Sequence, residues 1–235
     1  GCNDVLVVLG EMALIWAALA VAIFGLAYWL FVTTEGTYLG PRVVTLLYDW
    51  YAKRYDAAKN RSFVYEACLI AWPMVEALRG IAHPRVLDVA AGTGRVALAL
   101  LREHDFAGTV IGGDRSRPML REAQAALRGC DLHADLVQLD AAALSFADGT
   151  FDAVTCLEAL EFMWDPAEVL RELWRVLKAG GVLLVSNRVG VDAWWYPGRL
   201  CGRGRLEREL AKLGFEQIRT ERWQSHYDLV WARKP

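Results

Sequence analysis

The sequence predicts an α/β fold: a doubly wound, mostly parallel sheet of seven strands, preceded by a single transmembrane helix. Three observations carry this reading. Short apolar runs that end near an acid or a glycine alternate with helical patterns from residue 85 to residue 185, the rhythm of parallel strands joined by helices. Two further strand-like runs close the chain only a few residues apart, the spacing of an antiparallel hairpin at a sheet edge. Near the N-terminus, residues 12–32 contain no charged side chain.

That first segment is 21 residues long, about 31 Å as a helix, against roughly 30 Å for a bilayer core. Trp16 lies near one end and Tyr28 and Trp29 near the other, where amphipathic rings favour the lipid interface. A cleaved signal peptide fits less well, because no basic stretch precedes the run, the run is too long, and no A-x-A-like site follows. The chain opens on Gly1 rather than methionine, consistent with processing or trimming. Ahead of the span the only charges are Asp4 and Glu11; after it come Arg42, Lys53, Arg54, Lys59 and Arg61. This bias puts the N-terminus outside or in a lumen and the rest of the chain in the cytoplasm. Ala13, Ala17, Ala18, Ala22 and Gly25 recur three or four apart, which suits a second membrane helix packing closely and also suits ordinary alanine usage in such helices.

Residues 33–40 read as a polar linker, and Pro41 can open a helix at its first turn. Val43, Val44, Leu46, Leu47, Trp50 and Tyr51 then recur at helical spacing among basic residues, as expected of a helix on a membrane surface or of a lid over a site. A second helix is predicted from about Ser62 to Leu78, kinked or divided at Pro73. The expected organisation is thus 1–33 with the membrane helix, 34–80 with linker and lid helices, and 81–235 as the main domain.

The main domain starts with a buried strand carrying Asp88, followed by Ala90-Ala91-Gly92-Thr93-Gly94 and a helix start. Gly92 and Gly94 lack a Cβ, so the backbone can approach a ligand closely. Twenty-two residues after Gly92, the strand from Thr109 to Gly113 ends in Asp114, an acid placed to grip a ribose. Residues 137–141 (VQLDA) form a third strand with Asp140, and residues 148–154 are a turn leading into a fourth strand, which Leu157 and Glu158 end. Residues 170–181 (LRELWRVLKAGG) read as an amphipathic helix closed by its glycines, before a fifth strand at 182–185. After a loop at 187–204 come a helix at 206–213 ended by Gly214, a strand from Phe215 to Trp223 and a last strand from Tyr227 to Ala232. Gly92-x-Gly94-x-x-Ala97 also meets the loose dinucleotide fingerprint, but Asp88 sits badly beside a pyrophosphate and well beside an amine or a sulfonium.

In combination and order, DVAAGTG, the acid of GGDRS, LDAAALSFADGTFDAV and RELWRVLKAGGVLLV make the chain resemble the class I S-adenosylmethionine-dependent methyltransferases. It looks most like the ubiquinone/menaquinone C-methyltransferase and "type 11" branch, from about Tyr48 onward. The resemblance implies a Rossmann-like methyltransferase fold with S-adenosylmethionine as cofactor. It implies that Asp88, Ala90, Gly92 and Gly94 form the loop under the methionine part. Asp114 would take the ribose hydroxyls, and Arg115 and Met119 would flank the adenine. Asp140 and the backbone of Ala141 would meet the ring edge, Leu157 would lie beside the transferred methyl, and Tyr55 would close over the methionine end. Asp114 also suits a helix cap, and Asp140 a turn. Glu158 and Glu161 are weak catalytic candidates that equally suit a surface or helix-start pair. Family members often carry a histidine where this chain has Phe162, so a histidine base is absent and the pocket is more apolar.

Trp194-Trp195-Tyr196-Pro197 falls where the family places substrate-binding insertions; it suits an apolar cavity wall, a membrane-dipping loop or a packed flap. Arg199, Arg203 and Arg205 suit lipid headgroups or solvent equally. The 235 residues are 55% hydrophobic with a net charge of −2, which argues against nucleic acid as a partner. The 5 cysteines and 4 histidines show no metal-ligand spacing, so no metal is expected and the thiols are read as reduced. The leading expectation is a membrane-anchored methyltransferase acting on a lipophilic small molecule: a quinone, lipid, pigment or thiol. A second is an accessory subunit of a membrane complex with a relict or regulatory domain. A nicotinamide oxidoreductase is third.

Overall fold

The computed structural model describes residues 2–59 and 66–235, with side chains described at 9–55 and 66–235. Helix α1 spans Cys2–Tyr28 and runs on through a π-helical turn, Trp29–Thr33. One helix, Leu9–Thr33, is long and apolar enough to cross a membrane, with mean hydropathy 2.2 and none of it buried inside the protein. The helix ends where Thr34 donates its backbone N–H and hydroxyl to the Trp29 carbonyl, at 2.9 and 3.0 Å, while the Gly36 N–H takes that of Leu30 at 2.8 Å. Gly36 has φ +75°, and a Cβ there would stand 2.9 Å from Val43, so only glycine lets the chain double back this tightly.

Helix α2, Pro41–Lys59, opens on its proline as expected. Of the second predicted helix, residues 62–65 lie outside the described residues. The remainder is a π turn, Ala67–Ala71, and the short helix α3, Trp72–Ala77. Pro73 has no N–H to complete the regular helical ladder, and the turn before it is widened.

The sheet has seven strands in the order β3-β2-β1-β4-β5-β7-β6. They are β1 Arg85–Val89, β2 Thr109–Asp114, β3 Asp135–Gln138, β4 Phe151–Cys156, β5 Leu177–Arg188, β6 Glu216–Arg222 and β7 Tyr227–Arg233. β1 through β5 pair in parallel and β7 runs antiparallel to both β5 and β6, so the sheet is mixed. Helices α4 (Arg95–Leu100), α5 (Arg117–Gly129), α6 (Pro166–Val176) and α7 (Arg205–Lys212) complete it. Alternation along the strands gives each face a core. Val86, Ala153, Leu184 and Trp231 pack with α3, α4 and α5; Leu87, Val154, Leu183 and Val230 pack with α6 and α7.

Two elements differ from expectation. The helix predicted to run to Gly181 stops at Val176, and β5 starts at Leu177. Its last carbonyls need no glycine cap: Trp174 and Leu177 accept from Lys234 Nζ, each at 2.8 Å, and Arg175 and Val176 accept the Gly149 and Thr150 N–H groups at 2.9 and 2.8 Å. Lys178 to Gly181 then form an irregularity, since Phe151 pairs with Leu177 but Ala153 pairs with Val182. The third strand starts and ends earlier than expected. Asp140 is in a turn beyond it, where its Oδ1 accepts the Ala142 N–H at 3.1 Å.

β1 sets up the site. Asp88 lies opposite Thr155 of β4, and the Thr155 hydroxyl donates to Asp88 Oδ1 at 2.6 Å. Burial pushes the Asp88 carboxyl up to about 7, against the Thr155 hydrogen bond and the Arg95 charge, and Asp114 pushes it further up. The next residue but one, Ala90, has φ +57°, a left-handed conformation that costs a non-glycine residue about 1–2 kcal/mol.

Two outcomes follow from β1. The folded state holds the Asp88 proton more tightly than the unfolded chain, so this group's stabilising contribution falls as pH rises from the ordinary carboxylate range to about 7. Asp88→Asn, which keeps an acceptor for Thr155, therefore gains on the wild type across that window, by on the order of a few kcal/mol at its upper end. Thermal unfolding in detergent from pH 5 to 8 checks it; a gap constant with pH contradicts it. Ala90→Gly raises stability by roughly 1 kcal/mol in the same assay.

Candidate functional site

The turn after β1 is held by one carboxylate. Asp114, at the end of β2, accepts the Gly92 N–H on Oδ2 and the Ser116 N–H on Oδ1, both at 2.8 Å. A carboxylate has about four acceptor sites, so two hydroxyl donors can still be accommodated. Burial raises the Asp114 pKa, the backbone N–H groups of Ser116, Gly92 and Arg115 partly oppose that, and the Asp49 charge adds to the rise. Gly92, at φ +55°, has nothing within 4 Å of where a Cβ would stand; its face is open. Gly94, at φ +83°, is the opposite case, since a Cβ would stand 3.1 Å from that of Ala123 on α5. The one glycine allows close approach from outside and the other lets α5 pack from behind.

Above the turn lies a cavity of about 590 Å³, in the range of small-molecule sites. It sits outside the carboxyl ends of β1, β2 and β4, where the strand order reverses. Nine of the eleven positions predicted to meet a cofactor line it: Tyr55, Ala90, Gly92, Asp114, Arg115, Met119, Asp140, Ala141 and Leu157. Asp88 and Gly94 do not reach it; Asp88 is 2% exposed beneath the turn. Asp140 is half exposed and stands 3.4 Å from Arg115, a pair weakened by solvent.

Helix α2 borders the cavity with Pro41, Val44, Thr45, Tyr48 and Tyr55. It is clamped at Asp49, whose Oδ1 accepts from the Ser116 hydroxyl. Ser116 also caps α5, accepting the Met119 N–H at 3.2 Å. This residue was missed in the sequence, although a serine two residues ahead of Pro118 is a helix-start signal. Burial and the nearby Glu35 carboxylate raise the Tyr48 pKa well above the usual phenol range.

The far wall is charged, with one arginine facing two carboxylates. Arg95 Nη1 donates to Glu158 Oε1 at 2.7 Å, and Glu66 stands 3.5 Å from the same nitrogen. Burial lowers the Arg95 pKa, and the two carboxylates more than reverse that. Glu158 also accepts from Gln224 at 2.9 Å and has φ +50°, a second strained residue beside the cavity. Glu161 is buried off the cavity, accepting from the Tyr227 hydroxyl and, at 3.0 Å, from Arg188 Nε. Between the two acids and helix α2, Phe162 packs edge-on against Tyr48 and Tyr196, with centroids 5.9 Å away in each case.

Residues 87–185 match the family described as "Methyltransferase domain". The ubiquinone/menaquinone biosynthesis C-methyltransferase UbiE of Stenotrophomonas maltophilia (strain R551-3) is 41% identical over 114 residues, 48% of this chain and 45% of that protein. The demethylmenaquinone methyltransferase of Thermus thermophilus is 41% identical over 104 residues, 44% of this chain and 47% of that one. The chain thus spans about half the length of the curated relatives it matches. Among solved structures, the [4+2]-cyclase SpnF superposes with a TM-score of 0.60 at 27% identity, covering 69% of this chain and 79% of its own. A SAM-dependent methyltransferase from Aquifex aeolicus, at 17% identity, matches in fold with a TM-score of 0.62, covering 78% and 97%. Sheet order, glycine turn, acid-lined cavity and these relatives agree: residues 87–185 are similar to a methyltransferase domain, and about half of the chain resembles the quinone C-methyltransferases.

Proposed function

We propose that the protein transfers a methyl group from S-adenosylmethionine to a lipophilic small molecule at a membrane. The observation that carries this is the single rim on which Asp114, the open face of Gly92 and the apolar side chains of Met119, Ala141 and Leu157 meet one cavity. The donor set fits the cofactor: a half-buried carboxylate for paired hydroxyls, an apolar slot for a flat base, and tyrosines of the lid for a cationic end. The cofactor supplies an electrophilic methyl on a sulfonium that is already a good leaving group. The chain's part is to align the reactants and exclude water.

Asp114 holds the nucleoside end and fixes the turn, Met119 and Ala141 bound the base, and Tyr55 closes the other end. Asp140, held by its own turn and paired on Oδ2 with Arg115, lies at the base edge. Val44, Phe162 and Met163 make the acceptor side apolar, which suits a quinone, lipid, pigment or hydrophobic thiol. Neither Glu158 nor Glu161 serves as the base in this reading, because each is committed to a buried arginine. The acceptor therefore arrives with a labile proton or none to lose.

Residues 1–33 serve as the anchor, with the N-terminus outside or luminal; 34–80 carry linker and lid, and 81–235 the catalytic domain on the cytoplasmic side. The uncharged segment between Glu11 and Glu35, and the basic residues beyond it, support that orientation. Anchoring concentrates the enzyme where lipophilic acceptors partition. The small-residue stripe from Ala13 to Gly25 offers a contact for a partner helix.

Asp114→Asn lowers affinity for S-adenosylmethionine by about 10–100-fold in calorimetry, the size of a lost charge-assisted hydrogen bond. Methyl label from the cofactor enters an organic-soluble product of extracted membranes with wild type and is strongly reduced with the variant. Equal label in both removes the catalytic assignment. Absence of cofactor binding by the wild type, with fixed-ratio co-purification with membrane subunits, selects the accessory-subunit reading.

A further inference from the structure

The cavity mouth, the end of the apolar helix and the aromatic loop are joined by side-chain hydrogen bonds. Arg199 reaches all three regions. Its Nη1 donates to the Met163 and Trp164 carbonyls at 2.6 and 2.8 Å, and its Nη2 to the Thr37 carbonyl at 3.1 Å. Tyr38 donates to the Pro197 carbonyl at 2.8 Å and stacks on Trp29, centroids 5.0 Å apart. Tyr196 donates to the carbonyl of Thr33, the last residue of the apolar helix, at 3.0 Å. Tyr38, Leu39, Met163 and Trp164 also line the cavity. The opening of the site is therefore stapled to the point where the span ends.

Around that opening the surface is unusually apolar. Trp194 is 82% exposed, Val191 68%, Trp164 63%, Trp195 49% and Leu39 39%. A single exposed ring is ordinary, but several grouped around one opening mark an interaction site. Two observations identify the partner as lipid. The patch is continuous with the span through the Tyr196–Thr33 bond, so an inserted helix brings it to the interface. It is also indole-rich with exposed Arg42 and Arg205 close by in the chain, the mixture that favours the headgroup boundary.

We propose that Leu39, Trp164, Trp194 and Trp195 form a collar seated in the bilayer interface, giving the cavity a lateral portal for a membrane-dissolved acceptor. This rests on the membrane-anchored reading above. An acceptor taking this route passes from lipid past Leu39 and Trp164 to the Phe162 wall without crossing water. The lid then separates two entries: the polar cofactor reaches the Asp114 end, and the apolar acceptor comes in beside the anchor.

The test uses the full chain in vesicles of phosphatidylcholine and phosphatidylglycerol whose acyl chains are brominated near the headgroup, which quenches indoles at that depth. Trp164→Phe combined with Trp194→Phe and Trp195→Phe reduces the bromolipid-sensitive emission by roughly half, since the span contributes only Trp16 and Trp29. Trp72→Phe, on α3 and bonded to Glu103 at 2.9 Å, leaves that emission unchanged. A photoactivatable phosphatidylcholine labels the peptides holding Leu39 and Met163. If Trp16→Phe removes bromolipid sensitivity but the collar substitutions do not, the portal is wrong while the anchor stands, and the patch belongs to a protein partner. If no tryptophan is quenched, the anchored reading itself fails and the portal with it.

Discussion

The site depends on the two backbone N–H groups that Asp114 collects. One belongs to Gly92 and fixes the turn after β1; the other belongs to Ser116 and starts α5. Ser116 in turn takes Asp49 from helix α2. A single half-buried carboxylate thus ties the floor, one wall and the roof of the cavity together. A charged acceptor is suited to this, because its hydrogen bonds are stronger than those of a neutral one and desolvation sharpens them.

The same region accumulates expensive features. Ala90 and Glu158 occupy left-handed conformations, Asp88 is a carboxyl almost without solvent, and Arg95 is a largely buried guanidinium on the cavity wall. Each persists because neighbours over-determine it: strand pairing on Asp88, the Glu158 N–H on Ser186 at 2.6 Å, and Arg95 on Glu158 with its plane over Trp223. Strain and buried charge gathered at one rim are what a preorganised binding site requires. They also explain why Glu158, which sequence made a candidate base, is better understood as the counter-ion of Arg95.

A second assembly lies on the acceptor side. Arg188 sits over the rings of Phe162, Tyr196 and Tyr227 and pairs with Glu161. It links the apolar wall of the cavity to Tyr196, and so to the end of the apolar helix. The fold itself leaves the reaction open, since SpnF shares it and is a cyclase. In the proposed reading, reaction class comes from the Asp114 rim, and acceptor class from this aromatic half and the apolar helix beside it.

The sequence by itself determined the order of strands and helices, the glycine turn, the acids near the ends of β1, β2 and β3, and the apolar helix. These are legible because they depend on local periodicity and on short-range chemistry: alternation makes a strand, a missing Cβ makes a turn, and an uncharged run makes a long apolar helix. Tertiary structure alone decided which acid faces the cavity. Asp88 and Asp114 look alike in sequence, yet strand pairing with Thr155 buries one and leaves the other on the rim. It also decided where the helix before β5 stops, because Lys234, 60 residues beyond Trp174, supplies the cap. Ser116 with Asp49, Arg199 with three carbonyls and Tyr196 with Thr33 join residues far apart in the chain. No local pattern records such bonds, since they exist only once the sheet has brought their partners together.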